Sequence, residues 1–111
     1  MTTRWTVLCE QADLIEGAGI AAMLDGQQLA LFYVPESEQK VFAISNWDPI
    51  GKANVLSRGL LANLKDQWSV ASPLYKQHYE LLSGQCLEEE GVQIPTWSVK
   101  LETGKVLVAC E

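Results

Sequence analysis

The stretch Val70–Leu87, VASPLYKQHYELLSGQCL, decides how the rest of the chain is read. Trp68–Ala71 is rich in β-formers and runs as a short strand into Ser72-Pro73. Proline fixes φ and removes a backbone donor, so the strand ends there in a tight loop. Tyr79-Glu80-Leu81 resumes an extended segment, and Ser83-Gly84 turns it. A strand, a proline loop, a second strand and a glycine turn present a few side chains rigidly at one end of a sheet. Upstream, Phe42–Ile50, FAISNWDPI, has the same grammar, a strand running into a proline loop.

Working outward, the remaining segments are short and β-rich. Trp5–Cys9 alternates as a first strand, and Gln11–Gly19 is a connection with room for one helical turn. Ile20–Leu24 and Gln28–Val34 flank Asp25-Gly26, a strong hairpin signal, and Val41–Ser45 follows the polar loop Pro35–Gln39. In Ala53–Asp66 the residues Val55, Leu56, Leu60, Leu61 and Leu64 recur at roughly helical spacing. Gly59 interrupts them at a cost of about 1 kcal/mol relative to Ala in a helix. The reading is therefore a loop, a short strand around Gly59–Ala62 and a turn near Lys65-Asp66-Gln67. Glu88-Glu89-Glu90-Gly91 is a solvated acidic turn, and Trp97–Leu101 pairs with Lys105–Cys110 across Glu102-Thr103-Gly104. About nine short strands, with turns every eight to twelve residues or so, predict an all-β antiparallel sandwich or partly open barrel.

The totals bound the function. The 111 residues make one domain, 1–111, and 48% are apolar, which excludes a disordered chain. A net charge of −6 argues against nucleic acid and anionic membrane surfaces as partners. No apolar run approaches the roughly 20 residues that span a bilayer. Met1–Trp5 lacks the apolar segment of a signal peptide, so a cytoplasmic protein is expected. Cys9, Cys86 and Cys110 match neither a disulfide framework nor a zinc site and read as buried thiols. His78 is the only histidine, so no Ser/His/Asp arrangement can be built around it, and it reads as a strand-edge residue. No glycine-rich dinucleotide fingerprint follows Gly17 and Gly19. No catalytic residue is expected within this chain.

Val41–Leu87 resembles a Rieske domain, from the strand before the first loop to the Ser-Gly-x-Cys-Leu turn after the second. The segments Phe42–Asn46 with Asp48-Pro49, Val55–Leu60 (VLSRGL) and Val70–Gln77 (VASPLYKQ) resemble, more narrowly, the small subunit of the assimilatory NAD(P)H-dependent nitrite reductase. Trp5, the Gly17–Gly19 turn and Leu29–Phe32 extend the likeness over essentially the whole chain. Rieske proteins hold a [2Fe–2S] cluster through Cys-x-His in one loop and Cys-x-x-His in the other. The resemblance places those ligand positions at Asp48, Ile50, Ser72 and Tyr75, none of which is Cys or His. It therefore implies a Rieske-like fold with degenerate ligand positions and no metal or cofactor in this chain.

With no cluster to tie the loops, Ile50, Leu74 and Tyr75 are expected to close them as an apolar plug, stiffened by Pro49 and Pro73. Asp48 is expected either to pair with Lys76 or Arg58 or to stand solvated without a fixed partner. Trp5, Trp68 and Trp97 read as core, whereas Trp47 sits at a loop tip, where tryptophan serves as an interface residue. With Ile50, Arg58, Leu74, Tyr75 and Lys76 it makes a candidate subunit interface. The resemblance implies an accessory subunit docking on a large subunit that carries FAD, a [4Fe–4S] cluster and sirohaem and reduces nitrite to ammonium. The alternative is a stand-alone Rieske-type [2Fe–2S] electron-transfer ferredoxin, which the non-Cys/His positions 48, 50, 72 and 75 disfavour. An interaction module serving another partner is a third reading, separated from the first by co-purification with the large subunit.

Overall fold

The computed structural model describes residues 4–37, 39–64, 67–74 and 76–110. Tyr75, the Lys65-Asp66 part of the expected turn and the side chain of Cys110 lie outside the described residues. The strands in chain order are Arg4–Glu10 (β1), Gly19–Leu24 (β2), Gln27–Tyr33 (β3), Val41–Ser45 (β4), Trp47–Asp48 (β5) and Ala53–Asn54 (β6). Leu60–Leu64 (β7), Gln67–Ala71 (β8), His78–Glu80 (β9), Thr96–Trp97 (β10), Val99–Glu102 (β11) and Lys105–Cys110 (β12) complete them. Single 3₁₀ turns occupy Gln11–Asp13 and Leu56–Arg58. Each expected strand has a counterpart; β5 and β6 are further two-residue strands, and β10 is the detached start of the expected Trp97–Leu101.

Strand alternation explains the layering. A central sheet has the order β10-β4-β3-β2, and its residues point alternately to two different cores. Leu29, Leu31, Val41 and Ala43 pack with Val106 and Val108 of the sheet β1-β12-β11. Ala30, Phe32, Phe42 and Ile44 pack with Val70 and Tyr79 of the sheet β7-β8-β9, and with Leu56, Leu81 and Cys86. With both faces covered, β4 reads VFAIS and is buried throughout. Phe32 is fully buried, and its truncation to Ala would cost about 3–5 kcal/mol.

The Asp25-Gly26 turn has positive φ at both residues (50° and 80°), the type I′ geometry that matches strand twist. The β11–β12 turn is tighter than expected. Glu102 pairs directly with Lys105, leaving only Thr103 (φ 54°) and Gly104 (φ 75°) between them. The expected strand Trp97–Leu101 is split at Ser98, since Trp97 pairs with Ala43 while Val99 pairs with Val108. Trp68 and Trp97 flank the two cores, but Trp5 is 39% exposed and lies under the Lys100 ammonium at 4.4 Å. Cys86 is buried and Cys9 half-buried, where burial raises the Cys9 thiol pKa. The helical spacing around Leu56 survives only as one 3₁₀ turn. A side chain at Gly59 would collide with the Ala71 carbonyl, so the backbone must pass close to β8 there.

Candidate functional site: two proline loops closed on each other

The two loops are built alike. Asp48-Pro49-Ile50-Gly51-Lys52 and Ser72-Pro73-Leu74-Tyr75-Lys76 each begin with a short polar side chain before proline and end in lysine. Asp48 Oδ1 accepts from the Ile50 amide at 3.0 Å, and Ser72 Oγ accepts from the Leu74 amide at 3.2 Å. The lysine amides return to the first residue's carbonyl, Lys52 to Asp48 at 2.6 Å and Lys76 to Ser72 at 3.0 Å. Both lysines lie in the left-handed region, with φ 57° and 62°. That conformation costs roughly 1–2 kcal/mol for a residue with a Cβ. The short β5–β6 ribbon frames the first loop, and the Ser72 amide bonded to the Gln77 carbonyl (2.8 Å) frames the second.

The loops meet at their first residues. Ser72 Oγ donates to Asp48 Oδ2 at 2.5 Å, with both residues buried. Gln77 Nε2 donates to Oδ1 at 2.8 Å and to Oδ2 at 3.0 Å, and the Tyr79 hydroxyl donates to Oδ1 at 2.9 Å. Burial on its own would raise the Asp48 pKa. Hydrogen bonds from Ser72, the Gly51 amide, Tyr79 and the Ile50 amide outweigh it and hold the carboxyl below its ordinary value of 3.8. Tyr79 moves the other way, because burial and the neighbouring carboxylate both disfavour its anion. Gln77 Oε1 has no hydrogen-bond partner among the described residues. Turning the amide over would aim that oxygen at a carboxylate, so Asp48 dictates its orientation. At the tips, a Cβ on Gly51 would stand 2.5 Å from Leu74 Cδ1, so glycine permits this approach.

Asn46, also buried, ties the first loop to the 3₁₀ turn. Its Oδ1 accepts from the Ser57 amide at 2.7 Å, and its carbonyl accepts from the Leu56 amide at 3.1 Å. Leu56 plugs the core and Arg58, next but one, projects to the surface. Arg58, Leu60, Ser72, Pro73, Lys76 and His78 line an open cleft of about 330 Å³. Glu88 grips His78, accepting from its backbone amide and facing its Nδ1, both at 2.7 Å. His78 is thus the half-buried edge residue expected, but Glu88 is a tie to β9 as well as a member of an acidic turn.

Two expectations about the loops are corrected. Asp48 pairs with neither Lys76 nor Arg58 and is not solvated; it is buried among neutral donors, which satisfy its charge without desolvating a second ion. Where the loops' first residues meet stands this polar clasp and no apolar side chain, and the Tyr75 part of the expected plug lies outside the described residues. Ile50 packs at the edge of the main core, and Leu74 is 47% exposed. Gln77 and Tyr79, which complete the clasp, and Asn46, the bracket, were not expected to matter. The available signal was the repeat Asp-Pro-Ile-Gly-Lys and Ser-Pro-Leu-Tyr-Lys, which marks equivalent first positions. Trp47 is exposed, but it stands in β5 opposite Asn54, at the base of the first loop and not at its tip as expected.

A family model described as a Rieske-like [2Fe–2S] domain matches residues 4–109. The NADH nitrite reductase small subunit of Salmonella typhimurium is 40% identical over 94% of this chain and 95% of its own. The chain belongs to the Rieske-like nitrite reductase small subunits. The Escherichia coli protein NirD, solved by NMR, is 36% identical to this small subunit with a TM-score of 0.87, covering 98% of both chains. A nitrite reductase large subunit from Klebsiella oxytoca matches 94% of this small subunit at 39% identity, within 11% of its own length.

The fold family implies a cluster, and the residues present do not fit one. A Rieske centre puts two thiolates on one iron and two imidazoles on the other. On the correspondence that the resemblance implies, Asp48 and Ser72 stand at the two thiolate positions, and their side-chain oxygens are 2.5 Å apart in a direct hydrogen bond. Ile50 has no donor atom, and the fourth position is a phenol, Tyr75. Among the described residues no three His, Cys, Asp or Glu side chains converge.

Proposed function

We propose that this small subunit is a redox-silent accessory protein that docks on the large subunit of an NAD(P)H-dependent nitrite reductase and supports it. The observation that carries the reading is the Asp48–Ser72 hydrogen bond, which joins the two loops at the positions a cluster would need. The Klebsiella oxytoca large subunit adds to it, because there a domain like this one shares a polypeptide with the large subunit. Nitrite reductase activity then belongs to the complex, with FAD, [4Fe–4S] and sirohaem on the large subunit. An enzyme drawing on NAD(P)H to make ammonium serves nitrate and nitrite assimilation in the cytoplasm.

The docking end is the loop end. Trp47 and Leu74 expose large apolar surfaces (44% and 47%), with Arg58 and Lys76 exposed and Ile50 half-buried beside them. Tyr75, expected on the same surface, lies outside the described residues. Exposed aromatic and arginine side chains are the residue types that dominate binding energy at interfaces. The test is co-purification with the large subunit, repeated with Trp47→Ala and Lys76→Glu. Retained wild-type binding that both substitutions weaken supports the reading; indifference to both removes the loop end as the docking surface. A colourless protein is expected. Visible absorbance with stoichiometric iron and sulfide would favour the ferredoxin alternative.

A further inference from the structure

The cleft beside the second loop is basic in an acidic chain. Three of its side chains, Arg58, Lys76 and His78, are basic and none is acidic, in a chain with 14 acidic residues against eight Lys and Arg. Among the described residues Lys100 pairs with Glu102 and Lys105 with Glu10, while Arg58 and Lys76 have no carboxylate partner. Glu88 faces His78 through Nδ1 only. The lip is apolar, with Leu60 76% exposed and Pro73 exposed opposite. The walls are also fixed. Arg58 rides on a turn held by Asn46, Leu56 and the close Gly59–Ala71 contact, and Lys76 sits in a loop closed by two backbone hydrogen bonds. A backbone already held in place spares the cost of ordering the loops on binding.

We propose that this cleft seats an acidic segment of the large subunit, with a carboxylate between Arg58 and Lys76 and an apolar side chain of the same segment against Leu60 and Pro73. The inference rests on the accessory-subunit reading and names the partner chemistry of that docking end. Charge complementarity selects the occupant, because a guanidinium grips a carboxylate through two parallel hydrogen bonds and a lysine adds a point charge. Size and lining argue against a lone inorganic anion: an open cleft of about 330 Å³ with an exposed leucine at its lip suits a side-chain-bearing chain.

Lys52 supplies an internal control. It has the same left-handed backbone and the same place in its loop as Lys76, but it does not line the cleft. Replacing either by glycine relieves the same strain, so Lys52→Gly and Lys76→Gly should raise the urea midpoint alike. Only Lys76→Gly and Arg58→Glu should weaken binding of the full chain to the purified large subunit, each by about tenfold or more, and flatten its salt dependence. A carbodiimide, which condenses an amine and a carboxylate with loss of water, should link Lys76 Nζ to an Asp or Glu of the large subunit. Wild-type affinity in both Lys76→Gly and Arg58→Glu, or cross-links that bypass Lys76, overturns the cleft while leaving the accessory role standing. No binding by the wild-type chain overturns the accessory role itself. Phosphate or nitrite shifting the Arg58 and Lys76 NMR signals, with no cross-link to the large subunit, assigns the cleft to a small anion and overturns the proposal.

Discussion

The first and second proline loops share a backbone design and differ in what surrounds it. Each has a polar side chain capping its own loop, a proline at the next position and a left-handed lysine at the end. In the first, Ile50 turns toward the core; in the second, Leu74 is half exposed, with its inner side against Gly51. The first supplies a carboxylate, the second a hydroxyl, and the two meet in one buried hydrogen bond. A frame suited to holding metal ligands at one point is also suited to holding a donor against an acceptor there. The second loop borders the basic cleft and the first does not.

Removing the carboxylate should have the largest effect. Asp48→Ala strands Ser72, Gln77 and Tyr79 as buried donors and should lower stability by about 3–5 kcal/mol in urea unfolding. An effect near that of a surface substitution would mean that the loops are closed by something else. The same carboxylate has a signature in pH. Its folded pKa lies below the ordinary 3.8, so its contribution is complete above that value and is lost as pH falls through the folded pKa. Asp48→Asn should therefore flatten the acid limb of the stability curve. A limb as steep as in the wild type would assign acid sensitivity to other groups.

Tyr79→Phe comes next. It deletes one donor to Asp48 without changing the packing of a fully buried ring, for about 1.5–3 kcal/mol. The two lysine-to-glycine changes are smallest and of opposite sign, each stabilising by about 1 kcal/mol as left-handed strain is relieved. Unequal midpoint shifts for Lys52→Gly and Lys76→Gly would break the equivalence of the two loops.

How much of this was legible in the sequence differs between frame and site. The Asp25-Gly26 hairpin, the strand Val41–Ser45 and the proline ends of both loops were readable because each is specified by residues adjacent in the chain. The clasp was not, because its members lie 24 to 31 residues from Asp48 and converge only when the β5–β6 ribbon packs against the sheet β7-β8-β9. An isolated Asp48 looks like a surface charge, and only the convergence of neutral donors makes its burial affordable. Trp5 misled for a related reason. It alternates correctly in β1, but β1 is an edge strand of its sheet, and the ring lies under Lys100 at the surface. The split at Ser98 was hidden because both halves are β-rich, and only their different partners reveal it.

The central claim is that a hydrogen bond between Asp48 and Ser72 closes the loops. A double-mutant cycle tests it most directly, with Asp48→Asn, Ser72→Ala and the pair compared by urea unfolding. A coupling of about 1–2 kcal/mol between the two sites is expected. Additive effects, with coupling below about 0.3 kcal/mol, would contradict it.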